Sequence, residues 1–396
     1  MKQLSKIMLA TVASVALAVP AIAWDFGASG SSSATYKRST TNSGGEGEKD
    51  TVVNGVTSSG GGVTVSSSNS DGANSATFSY TADWNGDDGN FDEFVSVSGS
   101  KKVGNWTASS ATTQHIQQDV TSATNQAPMT ESSSAVITLT DGTITYKLGD
   151  ASHLSTAEKA VNGPMGGAQD AEARVAGFNG FSVGLGVGPG TLTVAIDEGH
   201  GAAPTALGED NTGIACGSQA MGFGFNFSGD VGADLSFTYG SSSASADATS
   251  CTGDNSTNAA TANTMGLGVA VPIGGMSLAL DYESSGTTNT AATVETVTAQ
   301  SGFEISFTMP LSDATLGLNV SSHANETTVA GAVTVLGASA GTELWYTVPI
   351  GPVGLSIGYG SSAVASGCAT CGEDGAAVLV TTATATQMGA EMTMSF

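Results

Sequence analysis

Basic residues are scarce: 10 Lys and Arg stand against 35 Asp and Glu in 396 residues, a formal charge of −25. Phosphate backbones repel a surface of this kind, which argues against nucleic acid as a partner. Long apolar runs are also missing. Beyond the first 23 residues no stretch is continuously apolar for the roughly 20 residues that a membrane-spanning helix needs, so any membrane the chain enters, it enters as strands. Histidine is sparse, and His115, His153, His200 and His323 lack partners at metal-ligand spacing, which leaves no motif for a metal site or for His-based catalysis. With 40% hydrophobic residues, 54 glycines and few charges, the composition fits neither a disordered acidic tail nor an ordinary α/β enzyme. No composition shift marks a linker, so the chain after residue 23 reads as one domain.

What is present is alternation. Met265, Leu267, Val269 and Val271 alternate with small residues, Pro272-Ile273-Gly274-Gly275 reverses the chain, and Met276, Leu278, Leu280 and Tyr282 alternate with Ser277, Ala279, Asp281 and Glu283. Strand side chains point to opposite faces with period 2, so this is a hairpin with one apolar face and one polar face. The unit returns around Pro310-Leu311-Ser312-Asp313 and around Pro349-Ile350-Gly351-Pro352. Such repetition predicts a meander of hairpins.

Residues 1–23 predict an export signal: Lys2 and Lys6, an apolar core from Ile7 to Val19, and Ala21-Ile22-Ala23 as a cleavage site before Trp24. The remaining chain, 24–396, would then keep eight basic residues against 35 acids. Tight turns at Asp71-Gly72, Lys102-Val103-Gly104, Asp141-Gly142, Gly188-Pro189-Gly190 and Gly229-Asp230 join the three Pro turns to make eight. They alternate with longer polar connections, of which only Asn85 to Asn90 reads as brief. The expectation is an all-β, transmembrane, antiparallel up-and-down β-barrel of 16 to 18 strands, with short periplasmic turns and long extracellular loops.

In the last strand Met388, Ala390, Met392, Met394 and Phe396 alternate with polar and small residues. This resembles the closing strand of outer-membrane barrels, in which a terminal aromatic is the signal read by the assembly machinery; the resemblance makes Phe396 that signal. The run Ala135-Val136-Ile137-Thr138-Leu139-Thr140-Asp141-Gly142-Thr143-Ile144-Thr145-Tyr146-Lys147-Leu148-Gly149-Asp150 resembles the segment that, in the general porins of Gram-negative outer membranes, precedes a long loop folded into the lumen. Seven strands precede it here, against five in that family. The resemblance implies a homotrimer in a lipopolysaccharide-bearing outer membrane and an inward loop over 151–172, with Gly163-Pro164-Met165-Gly166-Gly167 near its tip. Its constriction residues would be Asp150, His153, Glu158, Lys159, Asp170, Glu172 and Arg174. Porins carry an arginine ladder opposite this loop. Here a basic wall would draw on Lys37, Arg38, Lys101, Lys102 and Lys147.

Inward positions such as Gly184, Gly186, Gly268, Thr308, Gly317, Ser356 and Gly358 are small, which predicts a water-filled lumen in a barrel this wide. The Gly184 to Gly190 run ends in a turn rather than a helix, so it reads as strand and not as a phosphate loop. Cys216, Cys251, Cys368 and Cys371 lie in long loops of an exported chain and suggest disulfides, with Cys216 to Cys251 and Cys368 to Cys371 the simplest of three pairings. Acid clusters at Glu46, Glu48 and Asp50; Asp87, Asp88, Asp92 and Glu93; Asp197 and Glu198; Glu209 and Asp210; and Glu373 and Asp374 solvate loops or hold structural calcium or magnesium. No cofactor is expected. The reading is a diffusion porin for small hydrophilic solutes and ions, cation-preferring because the inward loop and its flanks are net acidic, and not an enzyme. The alternatives are a secreted or surface-layer β-sandwich protein and a substrate-specific outer-membrane channel.

Overall fold

Alternation of apolar with small polar residues yields strands and no helix among the described residues of the computed structural model, which are 24–43, 49–85, 90–118, 130–149, 153–154, 157–166, 180–199, 218–230, 232–246, 259–291, 294–329, 332–368 and 378–396. The strands are β1 Asp25–Asn42, β2 Thr51–Ser70, β3 Asn74–Asn85, β4 Asn90–Val103, β5 Trp106–Gln118, β6 Thr130–Thr140, β7 Ile144–Gly149, β8 Gly180–Val187 and β9 Gly190–Gly199. They continue as β10 Ser218–Asp230, β11 Asp234–Ala246, β12 Ala259–Ile273, β13 Met276–Ala291, β14 Val294–Leu311, β15 Ala314–Val329, β16 Ala332–Ile350, β17 Val353–Cys368 and β18 Val378–Ser395. Each pairs antiparallel with its neighbours in sequence, and β1 pairs with β18 from Ser31↔Ser395 to Asn42↔Thr384. The sheet is therefore a closed barrel of 18 strands, not 16, and among the described residues no second sheet faces it as a sandwich would require. At the seam Gly30 N–H donates to the Phe396 carbonyl at 2.8 Å and Phe396 N–H to the Gly30 carbonyl at 2.9 Å.

Seven of the eight expected tight turns are present, and their chemistry explains them; Gly229 and Asp230 instead end β10, and the short connection follows them at 231–233. Asp71 Oδ1 accepts from the N–H groups of Ala73 (3.1 Å) and Asn74 (2.6 Å), and Asp141 Oδ1 from Thr143 and Ile144, both at 2.8 Å. Gly274 and Gly275 take φ of 59° and 90°, the pair of positive values that a two-residue hairpin turn of this twist demands.

Three readings of the strands need correction. The polar segments after Glu283 and Ser321 are not long loops: β13 runs to Ala291 and β14 starts at Val294, β15 runs to Val329 and β16 starts at Ala332, so each connection is two residues. Their Thr, Ser and Ala residues continue the ladder, as in Thr287↔Thr298 and Ala299↔Glu326, because β-branched and small residues suit a sheet whether or not lipid surrounds it. β2 runs from Thr51, and its Ser/Gly half pairs with β1. Cys368 is the last residue of β17 rather than a loop residue; Cys216, Cys251 and Cys371 lie outside the described residues, as does the 1–23 segment.

Burial is inside out. Phe303, Ile305, Leu318, Val320 and Leu344 are exposed, whereas Glu304, Ser306, Asn319, Ser321 and Glu343, which alternate with them, are buried. In water such a distribution would be unstable, since burial normally removes apolar side chains and leaves charges out. It is stable where the solvent outside the barrel is hydrocarbon.

Candidate functional site

The inward face holds a belt. Residues 157–166, from the connection between β7 and β8, run along the wall formed by β12 to β17, and each anchor is a side chain at an inward strand position. Asp281 on β13 accepts from Lys159 N–H through both carboxylate oxygens at 2.8 Å, and from Ala160 N–H at 2.6 Å. Ser306 on β14 accepts from Val161 N–H at 2.9 Å. Asn319 on β15 donates to the Val161 carbonyl at 3.0 Å, to Asn162 Oδ1 at 2.7 Å and to Glu304. Glu343 Oε1 on β16 accepts from Met165 N–H at 2.5 Å and Gly166 N–H at 3.2 Å, and Lys37 Nζ on β1 donates to the Met165 carbonyl at 3.4 Å. Upstream, Leu154 packs on Ala195 of β9. Extended backbone with no ladder of its own must find partners elsewhere, and this wall supplies them. Hydrogen bonds to charged acceptors are about twice as strong as neutral ones.

The small inward residues acquire a different meaning here. A Cβ on Gly268 would overlap the Ala157 carbonyl, one on Gly358 would lie 2.9 Å from Met165 Cγ, and one on Gly317 would overlap the Trp345 ring. Gly163 on the belt needs the same clearance from Glu343 and Trp345. Gly268, Gly317 and Gly358 are thus seats for packed groups rather than vacancies around open water. Gly184 differs, since the nearest atoms to its Cβ would be at an ordinary 3.6 Å.

The predicted site residues divide. Of the expected constriction set, His153, Glu158 and Lys159 are described; His153 is buried and Glu158 exposed, while Lys159 Nζ pairs with Asp234 Oδ2 at 2.9 Å. Asp150, Asp170, Glu172 and Arg174 fall outside the described residues. Of the expected basic wall, Lys37 and Lys147 face the lumen. Arg38 does not: strand alternation sends it outward, among Tyr36, Leu344 and Tyr359. Lys101 and Lys102 split for the same reason, and both are exposed beside the β4–β5 turn. Asp281, Glu304, Asn319 and Glu343 were not anticipated as a site. Their signal was available, because an acid or amide at an inward position of strands otherwise lined by Gly, Ser and Ala is costly unless it is partnered.

The rest of the inner wall is different in kind. From β2 to β7 it carries paired hydroxyls, Thr64 with Thr81 at 2.8 Å, Ser96 with Thr113 at 2.9 Å and Thr140 with Thr145 at 2.8 Å, all half-buried. His115 stacks on Phe94 with ring centroids 4.2 Å apart and lies 3.4 Å from Asp92; His323 crosses Gly302 to reach Glu283 at 3.3 Å. No group of three or more metal-ligating side chains occurs among the described residues; of the acids expected in loops, Asp92 and Glu93 lie in β4 and Asp197 and Glu198 in β9, while Glu46, Glu48, Asp87, Asp88, Glu209, Asp210, Glu373 and Asp374 fall outside the described residues.

A closed sheet with an apolar outer face, a polar inner face and every ladder completed defines a membrane-spanning β-barrel. No protein-family model and no curated protein matches the chain. Among solved structures, the chain is similar to the outer-membrane protein OmpT of Vibrio cholerae in its trimer form (11% identity, 94% of this chain and 100% of that one, TM-score 0.47). It is also similar to an anion-selective porin from Comamonas acidovorans (14%, 94% and 100%, 0.42) and to the channel DcaP of Acinetobacter baumannii (11%, 94% and 97%, 0.42). The barrel stands on its own strand pairing, and these likenesses are too distant to carry a function.

Proposed function

We propose that the protein is an outer-membrane porin, a passive aqueous channel for small hydrophilic solutes and ions with no catalytic step. The observation that supports this most is the asymmetry of the lumen: a belt on the β12–β17 wall, facing a hydroxyl-lined wall from β2 to β7 that stays accessible. In this reading residues 1–23 are the export signal, the short turns are periplasmic, the active form is a homotrimer, and Phe396 serves assembly. Structural calcium or magnesium at the acidic loops, and contact of those loops with lipopolysaccharide, belong to the same reading.

Cation preference in this reading rests on Glu158, exposed on the belt, together with the carboxylates beneath it. Lys159 is offset by Asp234, whereas Asp281, Glu304 and Glu343 place three carboxylates beneath the belt with no buried Lys or Arg among the described residues. Fixed charge in the narrowest zone dominates the field on a permeant ion and is poorly screened there. Reversal potential in a potassium chloride gradient should show potassium favoured over chloride, still so at molar salt, and Glu158→Gln should weaken the preference. Chloride preference in the wild type would contradict the cation reading, and absence of any conductance would contradict the porin reading.

A further inference from the structure

The outer face of the barrel carries a groove that the channel reading does not use. It is a shallow open groove of about 580 Å³ that spans β15 to β18 and β1 across the seam, lined by Tyr36, Leu344, Tyr346, Ile357 and Met388 with Arg38 at one end. Register explains its shape. The outward row Tyr36, Ala390, Ile357, Tyr346 runs through one alanine, next to the row Arg38, Met388, Tyr359, Leu344. The small Ala390 leaves a gap in that row between Tyr36 and Ile357. Beyond Arg38 a smaller polar cleft of about 110 Å³ follows, lined by Thr40, Thr386 and Gln387 and sharing Arg38, Tyr359 and Met388 with the groove.

Arg38 is the element that demands an explanation. It faces outward, its register partners are Asn54 and Met388, and it has no hydrogen bond or ion pair with any described residue. A cation on the lipid face of a barrel costs roughly 2–4 kcal/mol at the bilayer midplane and about 0–1 near the interface. The level of Arg38 is the interface: toward the tight turns the outward residues of β18 are Met388, Ala390, Met392 and Met394, and away from them they are Thr386 and Thr384. Guanidinium groups match phosphate with two parallel N–H donors. An apolar trough, a guanidinium with no partner among the described residues and a hydroxyl-bearing cleft in sequence match the order of an acyl chain, a phosphate and a sugar or glycerol headgroup.

We propose that this groove binds a phosphate-bearing lipid of the outer leaflet, with Arg38 on the phosphate and one acyl chain along Leu344, Ile357 and Met388. The proposal rests on the outer-membrane orientation of the preceding section, which places the loop-side end of the strands in the outer leaflet. Its volume lies within the roughly 300–1,000 Å³ common for ligand sites.

Native mass spectrometry of the detergent-extracted, delipidated protein, titrated with lipid A and with its dephosphorylated form, tests it. The wild type should retain one lipid A per protomer and lose the dephosphorylated lipid readily. Arg38→Gln should reduce retention about tenfold, as expected for a lost charged hydrogen bond, and Ile357→Trp, which fills the trough, should reduce it too. Lys101→Gln, at the opposite end of the barrel, should change nothing. Each variant is scored only as the heat-modifiable folded form, so misfolding is not mistaken for lost binding. Equal retention by Arg38→Gln, or equal retention of the two lipids, would overturn the proposal. So would disulfide-linked protomers in Arg38→Cys, which would show that a second copy covers the groove. Conductance of the same preparation judges the porin reading separately: lipid retained by a non-conducting barrel would reject the pore and leave the lipid site standing.

Discussion

The choice between glycine and alanine separates two kinds of inward position that look identical in sequence. At Gly268 a methyl group would overlap the Ala157 carbonyl, and backbone on both sides prevents relief. Gly268→Ala should therefore lift the belt from the wall, cost about 1–3 kcal/mol as overpacked interiors do, and make 157–166 protease-sensitive. Gly184→Ala, with its nearest neighbours at 3.6 Å, should be silent in both measurements. A second prediction concerns the turns. Hydrogen bonds from the Ile144 and Thr143 N–H groups hold the Asp141 carboxyl below its ordinary value of 3.8. A lowered folded pKa means that the charged form is favoured by folding, so its stabilisation is present at neutral pH and is lost as pH falls through the lowered value. The difference in denaturant midpoint between wild type and Asp141→Ala should be present at about pH 7 and close at about pH 2. A difference independent of pH would show that the charge does not act.

At the level of elements, the seam and the belt carry the most consequence. Phe396 completes two backbone hydrogen bonds with Gly30, and its ring lies against Gly30, where a Cβ would come within 2.6 Å of it. An aromatic over a strand glycine shields ladder bonds that a bare glycine leaves open. Removal of Phe396 should lower the fraction of heat-modifiable barrel on gels without lowering export; wild-type levels of folded protein would mean that the last residue does not serve assembly. Much at this scale was legible beforehand. Five turns, at 71–72, 141–142, 188–189, 274–275 and 351–352, were readable because Asp-Gly, Gly-Pro and Gly-Gly steps have few other conformations, and the hairpin strands because period 2 persisted across them. The belt was readable only as a loop of unusual length in the right place. Its anchors were not, since Asp281, Glu304, Asn319 and Glu343 come from four strands and meet 157–166 only after some 120 to 180 intervening residues have closed the sheet. The facing of Arg38 could have been read, because Lys37 and Arg38 are consecutive in a strand and cannot share a face.

For the molecule as a whole, the account makes the lumen two-sided: β12 to β17 hold the belt, and β2 to β7 meet the water and ions that pass. Side-chain accessibility during conduction tests this most directly. In a background with the four cysteines replaced by serine, Thr113→Cys on the hydroxyl wall and Ala279→Cys beneath the belt are each exposed to a charged methanethiosulfonate while single-channel current is recorded. Ala279 is 3% exposed and Thr113 is half-buried on the open side. The account predicts rapid modification and a stepwise change of conductance at Thr113→Cys, and no reaction at Ala279→Cys. Equal modification at both positions, or modification of Ala279→Cys alone, would contradict it.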